Sequence, residues 1–243
     1  MSQTLILLLT ALITSILSGA LGMGGGILLF AVMAQYFPLQ ILVPLHGLIQ
    51  LGSNTSRVIY SYKSVNRGLT LQFALGALFG AALGSQFVIQ VPENFYKIGL
   101  GFFILIITFL NLPKPKKKFF LKWPILGSIA TFLSLFVGAT GPLLAPYYLS
   151  EKLKRETLVA TKAACQIFIH LLKVITFFLL GFVVSPHLLL LSGMLIMVFI
   201  GNYLGKIILH RISEKSFVWL FKVLIILLSL RMIFQGFSNI FAK

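Results

Sequence analysis

Eight apolar stretches of about twenty residues, joined by short polar links, leave this chain few ways to fold. Each is long enough to cross the roughly 30 Å hydrocarbon core of a bilayer as a helix rising about 1.5 Å per residue. Segment 1 runs from Thr4 to Tyr36 with a break near Gly22–Gly26, and segment 2 from Ile41 to Tyr62. Segments 3 and 4 cover Leu69–Ile89 and Phe95–Leu112. Segment 5, Trp123–Tyr148, is broken near Gly138–Pro142, and segments 6 to 8 cover Thr157–Phe182, Leu188–Leu209 and Phe217–Phe237. Membrane β-strands alternate over about ten residues, and these runs are too long and too evenly apolar for that. The expected fold class is an all-α, polytopic integral membrane protein.

Composition agrees. Of the 243 residues, 58% are hydrophobic and 10% charged, against about 45–50% and 25% in a soluble domain. That excludes a soluble enzyme and a disordered chain, and the single Cys165 excludes an internal disulfide or a cysteine zinc cluster. No cleavable signal is expected, because no basic residue precedes the apolar run Leu5–Leu21. Twenty Lys and Arg against four Glu give a net charge of +16. Many of these cations lie between apolar segments, where charge sets topology, and no soluble basic domain exists for nucleic acid.

Sliding the chain on itself reveals a repeat. At an offset of 116, Gly22 and Gly25 fall on Gly138 and Gly141, Gln50 on Gln166, and Arg57 on Lys173. At an offset of 121, Gly80 and Gly84 fall on Gly201 and Gly205, and Glu93 on Glu214. Two-half construction of this kind is common in transporters. It divides the chain into a first transmembrane repeat, 1–112, a basic linker, 113–122, holding Lys114, Lys116, Lys117 and Lys118, and a second repeat, 123–243.

The basic excess switches sides between matched loops. Arg57, Lys63 and Arg67 follow segment 2, whereas the counterpart near Ser185 has no Lys or Arg; Lys206, Arg211 and Lys215 follow segment 7, the counterpart of segment 3. Basic loops stay cytoplasmic, so the halves are expected to be inverted copies, with the linker cytoplasmic. Inversion needs an odd number of crossings per half, which the broken segments 1 and 5 provide if each is a re-entrant pair of half-helices. Eight plain crossings are the alternative.

The breaks themselves are informative. Gly24, Gly25 and Gly26 stand together mid-segment, where each glycine costs about 1 kcal/mol of helix relative to alanine. Open backbone at membrane depth survives only inside protein or beside a wet cavity. The freed amides and the positive end of the next half-helix suit an anion. Thr140 and Gly141, followed by Pro142, do the same in the second half. Close helix packing through small residues is the competing explanation. No P-loop lysine follows either break.

The run Ser18-Gly19-Ala20-Leu21-Gly22-Met23-Gly24-Gly25-Gly26-Ile27-Leu28 and its echo Val137-Gly138-Ala139-Thr140-Gly141-Pro142-Leu143-Leu144-Ala145-Pro146, in a duplicated architecture, resemble the TauE/SafE (sulfite exporter) family. The resemblance covers nearly the whole chain. It implies a transporter of small sulfur-containing anions, sulfite or organosulfonates, in the bacterial cytoplasmic membrane. Phe30 stands where the first motif often has proline, and Thr140 and Pro142 lie within the second glycine run.

Two polar stripes complete the candidate site. Segment 2 carries His46, Gln50, Asn54 and Arg57; segment 6 carries Lys162, Gln166, His170 and Lys173. The spacings of four, four and three put each set on one helical face, and the sets coincide at an offset of 116. Polar groups in a bilayer face protein or water, so the stripes are expected to line a pathway; interhelical hydrogen bonding is the alternative. Arg57 and Lys173 would flank a central site at opposite ends, Gln50, Gln166 and Asn54 would donate amides, and His46 or His170 could carry a proton. Lys162 is expected to snorkel to the cytoplasmic surface. Ser53, Ser56 and the Thr140 hydroxyl are weaker candidates, since such hydroxyls often bond their own backbone. The four glutamates all fall at segment ends, so no buried carboxylate relay is expected.

The partners expected are a small anionic substrate and the lipid bilayer, with no cofactor, metal or nucleic acid. An anion channel, or a transporter of a carboxylate-like organic anion, is the alternative. A membrane enzyme lacks support: no HExxH motif, Ser/His/Asp set or His–carboxylate cluster is present. A purely structural subunit would leave the matched stripes without purpose.

Overall fold

The computed structural model describes residues 2–21, 24–88, 93–109, 121–138, 140–208 and 214–241. Gly22, Met23, Ala139, Arg211 and most of the linker, including its four lysines, lie outside the described residues. All regular structure among the described residues is helical: α1 (Gln3–Leu21), α2 (Gly25–Met33), α3 (Leu39–Tyr60), α4 (Arg67–Gly84), α5 (Glu93–Phe109), α6 (Lys122–Val137), α7 (Gly141–Ser150), α8 (Arg155–Leu179), α9 (Leu188–Ile207) and α10 (Glu214–Phe241). The two broken segments are thus the helix pairs α1–α2 and α6–α7. Gly24 (φ 91°) and Gly138 (φ 72°) stand at the breaks, a backbone region that costs a side-chain-bearing residue but not glycine.

Three described stretches are long and apolar enough to cross a membrane unaided: Gln3–Ala20, Arg155–Leu179 and Ser185–Ile207. The outside is greasier than the inside. Leu71, Leu75, Leu78 and Phe79 of α4 and Leu189 of α9 are exposed, whereas Arg57, Lys162 and Lys173 are buried. Lipid-facing apolar side chains around a polar interior are what hydrocarbon solvent demands.

Small residues set the closest contacts. A Cβ at Gly80 of α4 would stand 2.0 Å from the Ser128 carbonyl oxygen of α6, and one at Gly201 of α9 would stand 2.6 Å from the Leu12 carbonyl oxygen of α1. Likewise Gly84 abuts Phe132, and Gly205 abuts Ile16. The two sets of contacts have the same form. Gly80 and Gly84 map onto Gly201 and Gly205 at an offset of 121, while Leu12 and Ile16 map onto Ser128 and Phe132 at 116.

The helix pairing obeys the same exchange. α1 packs on α9 as α6 packs on α4; α3 on α9 as α8 on α4; α2 on α10 as α7 on α5; and α3 packs on α8, and α5 on α10. The last two pairs are antiparallel. Gly47 of α3 lies against Lys173 and Val174 of α8, whereas Arg57, three turns later in α3, lies beside Lys162, three turns earlier in α8. In α5 and α10, Gly101 meets Ile233, and Phe109 meets Lys222.

Polar caps hold the connections. Asn66 accepts from the Leu69 amide at 3.1 Å to start α4, and its own amide donates to the Thr161 hydroxyl of α8 at 2.9 Å. Glu151, after α7, pairs with Lys122 at the start of α6 at 2.7 Å. Gly80→Leu and Gly201→Leu should each lower stability by roughly 1–3 kcal/mol or more, because the added side chain meets backbone that cannot move without separating the helices. Thermal unfolding in detergent, read against Gly99→Leu, where a Cβ meets nothing within 4 Å, checks this.

Candidate functional site

The two breaks meet each other. Phe30, in α2, occupies the space that a Cβ at Gly138 would need, its ring carbon 2.0 Å from that point. Phe30 also packs edge-on against His46 with ring centroids 4.9 Å apart, and His46 faces His170 across α3 and α8 at 6.0 Å. His46 is held at its other face, its Nε2 lying 3.0 Å from the Gly26 carbonyl oxygen. Both breaks and both polar stripes therefore converge on one centre.

Within that centre the expected residues fall into distinct places. Gln50 is buried, and its Nε2 lies 3.3 Å from a Cβ position at Gly26. Gly25 packs tightly, since a Cβ there would stand 2.0 Å from the Thr14 carbonyl oxygen and 2.2 Å from the Ser18 hydroxyl oxygen. Its glycine is thus accounted for by helix approach. At the other break, a Cβ on Gly141 would meet Gln166 Nε2 at 3.2 Å and Lys162 Nζ at 3.8 Å and nothing closer. Thr140 is buried at the N-cap of α7 without a side-chain capping bond. Lys173 Nζ donates to the Gly138 carbonyl oxygen at 2.9 Å, a carbonyl left at the end of α6 where the helix opens.

One expectation changes. Lys162 does not snorkel: it is 1% exposed, and its Nζ has no hydrogen-bond partner among the described residues. Asn54 donates through Nδ2 to the Gln50 carbonyl oxygen at 2.7 Å, and its Oδ1 accepts from Arg57 Nη2 at 2.5 Å. Its role here is to orient Arg57, whose Nε also donates to the Ser53 carbonyl oxygen at 3.3 Å. The signal for Lys162 was present in the sequence, since it falls on His46 at the repeat offset.

Asn202 of α9 carried no such signal. Its Nδ2 donates to the Ser53 carbonyl oxygen, the Ser53 hydroxyl and the Ser56 hydroxyl at 2.9, 3.0 and 2.9 Å. This pins α9 to α3 beside Arg57.

Cavities lie at both ends of the α3–α8 pair. One, of about 140 Å³, is lined by Arg57, Tyr60, Ser61, Glu156, Asn202 and Lys206, with Lys206 Nζ bonded to the Tyr60 carbonyl. The other, of about 440 Å³, is lined by Leu39, Gln40, Phe177, Phe182, Pro186 and His187. The first mouth is cationic and the second mainly apolar. Among the described residues no three His, Cys, Asp or Glu side chains group to hold a metal.

The fold is that of a multi-pass helical membrane protein with a buried, cation-rich polar centre. The family model described as "Sulfite exporter TauE/SafE" matches residues 7–232. The chain belongs to that family. No curated protein and no solved structure matches it.

Replacing Asn202 by alanine removes its bonds to Ser53 and Ser56, and although the Ser53 carbonyl keeps Arg57 Nε and the Ser56 hydroxyl, each lost bond costs about 0.5–1.5 kcal/mol. Asn202→Ala is expected to lower the melting temperature in detergent measurably, whereas an unchanged melt would show that α9 is held elsewhere.

Proposed function

We propose that this protein exports small sulfur oxyanions, sulfite or organosulfonates, across the cytoplasmic membrane of a bacterium, through two inverted halves that share one central site. The observation that carries the reading is a charge imbalance. Arg57, Lys162 and Lys173 are buried, and no carboxylate accompanies them among the described buried residues. Unpaired charge in a low-dielectric interior costs several kcal/mol per ion, and a permeating anion offsets it. The repeat-consistent contacts and the antiparallel α3–α8 and α5–α10 pairs support the inverted arrangement, with α1–α2 and α6–α7 as re-entrant pairs. The polar groups drawn on are Gly24–Gly26, Gln50 and Arg57 from the first half, oriented by Asn54, and Thr140, Gly141, Gln166, His170 and Lys173 from the second.

Direction follows from the field. An inside-negative potential drives a monovalent anion outward by about 2.3 kcal/mol per 100 mV. With the basic loops cytoplasmic, the Arg57–Lys206 cavity opens inward and collects the anion, and the mainly apolar cavity beyond Phe177 releases it. His46 and His170, each with a buried Nδ1 lacking a partner among the described residues, are the proton carriers available if export is coupled. The protein works in the lipid bilayer as a transporter rather than an enzyme, and needs no nucleic acid or cofactor.

Arg57→Gln and Lys173→Gln should each cut sulfite efflux from proteoliposomes by roughly tenfold or more, matching loss of a charge-assisted contact of about 1.5–3 kcal/mol, with gel-filtration profiles unchanged. Clamping the potential with potassium and valinomycin should change the efflux rate. Flux indifferent to potential but driven by a pH gradient contradicts passive export, and uptake of carboxylates in preference to sulfur anions contradicts the substrate.

A further inference from the structure

We propose that the resting site of the anion lies in the second half, on Lys162 Nζ, the Gln166 amide and the amino end of α7, with Arg57, Lys173 and the polar groups of the first half meeting the anion only in passage. This rests on the export reading above and narrows it to one asymmetric site for a single sulfite- or sulfonate-type oxyanion head.

The three buried cations are not equivalent. Arg57 is occupied by Asn54 Oδ1 and the Ser53 carbonyl, and Lys173 by the Gly138 carbonyl. Lys162 alone of the three has a buried terminal nitrogen with no partner among the described residues. That nitrogen points at the start of α7, as its 3.8 Å approach to a Cβ position on Gly141 shows. α7 has ten residues, and its N-cap Thr140 makes no side-chain cap bond; Pro142 has no N–H, so the Gly141 and Leu143 amides are the first-turn donors without a side-chain cap, and they carry the positive end of the helix. Gln166 Nε2 borders the same point at 3.2 Å. An ammonium, an amide and a helix amino end around one gap form a donor set, and an oxyanion supplies the acceptors it lacks.

The corresponding place in the first half is filled. His46 stands at the Lys162 position of the repeat, and its Nε2 is committed to the Gly26 carbonyl. The start of α2 is pressed against α1, where the Thr14 carbonyl and Ser18 hydroxyl leave no room even for a Cβ on Gly25. Phe30 then covers the first-half side against Gly138. Repeat symmetry in the backbone has been kept while the binding chemistry was kept on one side.

The test is thermal stability of the purified full-length protein, titrated with sulfite, methanesulfonate, acetate and chloride. A ligand that binds the folded form raises its melting temperature with concentration. Sulfite and methanesulfonate should stabilise the wild type. Lys162→Met should abolish that response or weaken the apparent affinity at least tenfold, while the ligand-free melt stays level or rises, because an unpartnered buried amine has been removed. Gly141→Ala keeps the amine but places a methyl between Lys162 and Gln166, so it should weaken the response similarly; if Lys162→Met does not fold, this variant decides. Wild-type affinity for sulfite in the variants overturns the inference and leaves the export reading standing, as does chloride stabilising as well as sulfite. No response of the wild type to any of the four anions overturns both.

Discussion

Positive charge buried with no buried carboxylate among the described residues is the constraint around which this fold is organised. In a medium of low dielectric the interaction between charges grows several-fold over its value in water, and a bilayer offers no solvent to relieve it. The chain answers with backbone and amide oxygens. Opening the helix at Gly138 leaves a carbonyl that Lys173 can take. The Ser53 carbonyl and Asn54 Oδ1 hold Arg57. Broken helices and buried cations are thus one device, since an intact helix would have spent that Gly138 carbonyl on its own ladder.

Bringing the breaks together is the task of the small residues. Gly76, Gly80 and Gly127 let α4 and α6 approach to backbone contact, and Gly19, Gly201 and Gly205 do so for α1 and α9. Each of these pairs joins a helix of one half to a helix of the other. The halves are consequently clasped across two glycine seams, with Phe30 seated at Gly138 between them.

Much of this was legible in the sequence because apolar runs, glycine clusters and repeat offsets are local and periodic. The helix pairs α1–α2 and α6–α7 follow from Gly24–Gly26 and from Gly138 with Gly141. Both offsets, 116 and 121, reappear in contacts between Gly80 and Ser128 and between Gly201 and Leu12. What depends on the direction of a side chain was not legible. Lys162 was legible only through its match to His46 at an offset of 116, because by itself it reads as a cation near a segment end. Asn54 reads as a donor facing a pathway, but one turn later Arg57 claims its oxygen. Asn202 is a single amide in an apolar run until α9 is placed on α3. The difference between the two breaks is likewise tertiary, since both are glycine-rich and only the approach of α1 crowds the first.

The most direct test is a crystal structure of the protein in lipid with selenite, a heavier analogue of sulfite whose selenium can be located by anomalous scattering. One selenium peak per chain is expected, within hydrogen-bonding reach of Lys162 Nζ, Gln166 Nε2 and the Gly141 amide, on the side of the centre nearer the Arg57 cavity. A peak confined to a cavity mouth, or two equivalent peaks at the starts of α2 and α7, would contradict it.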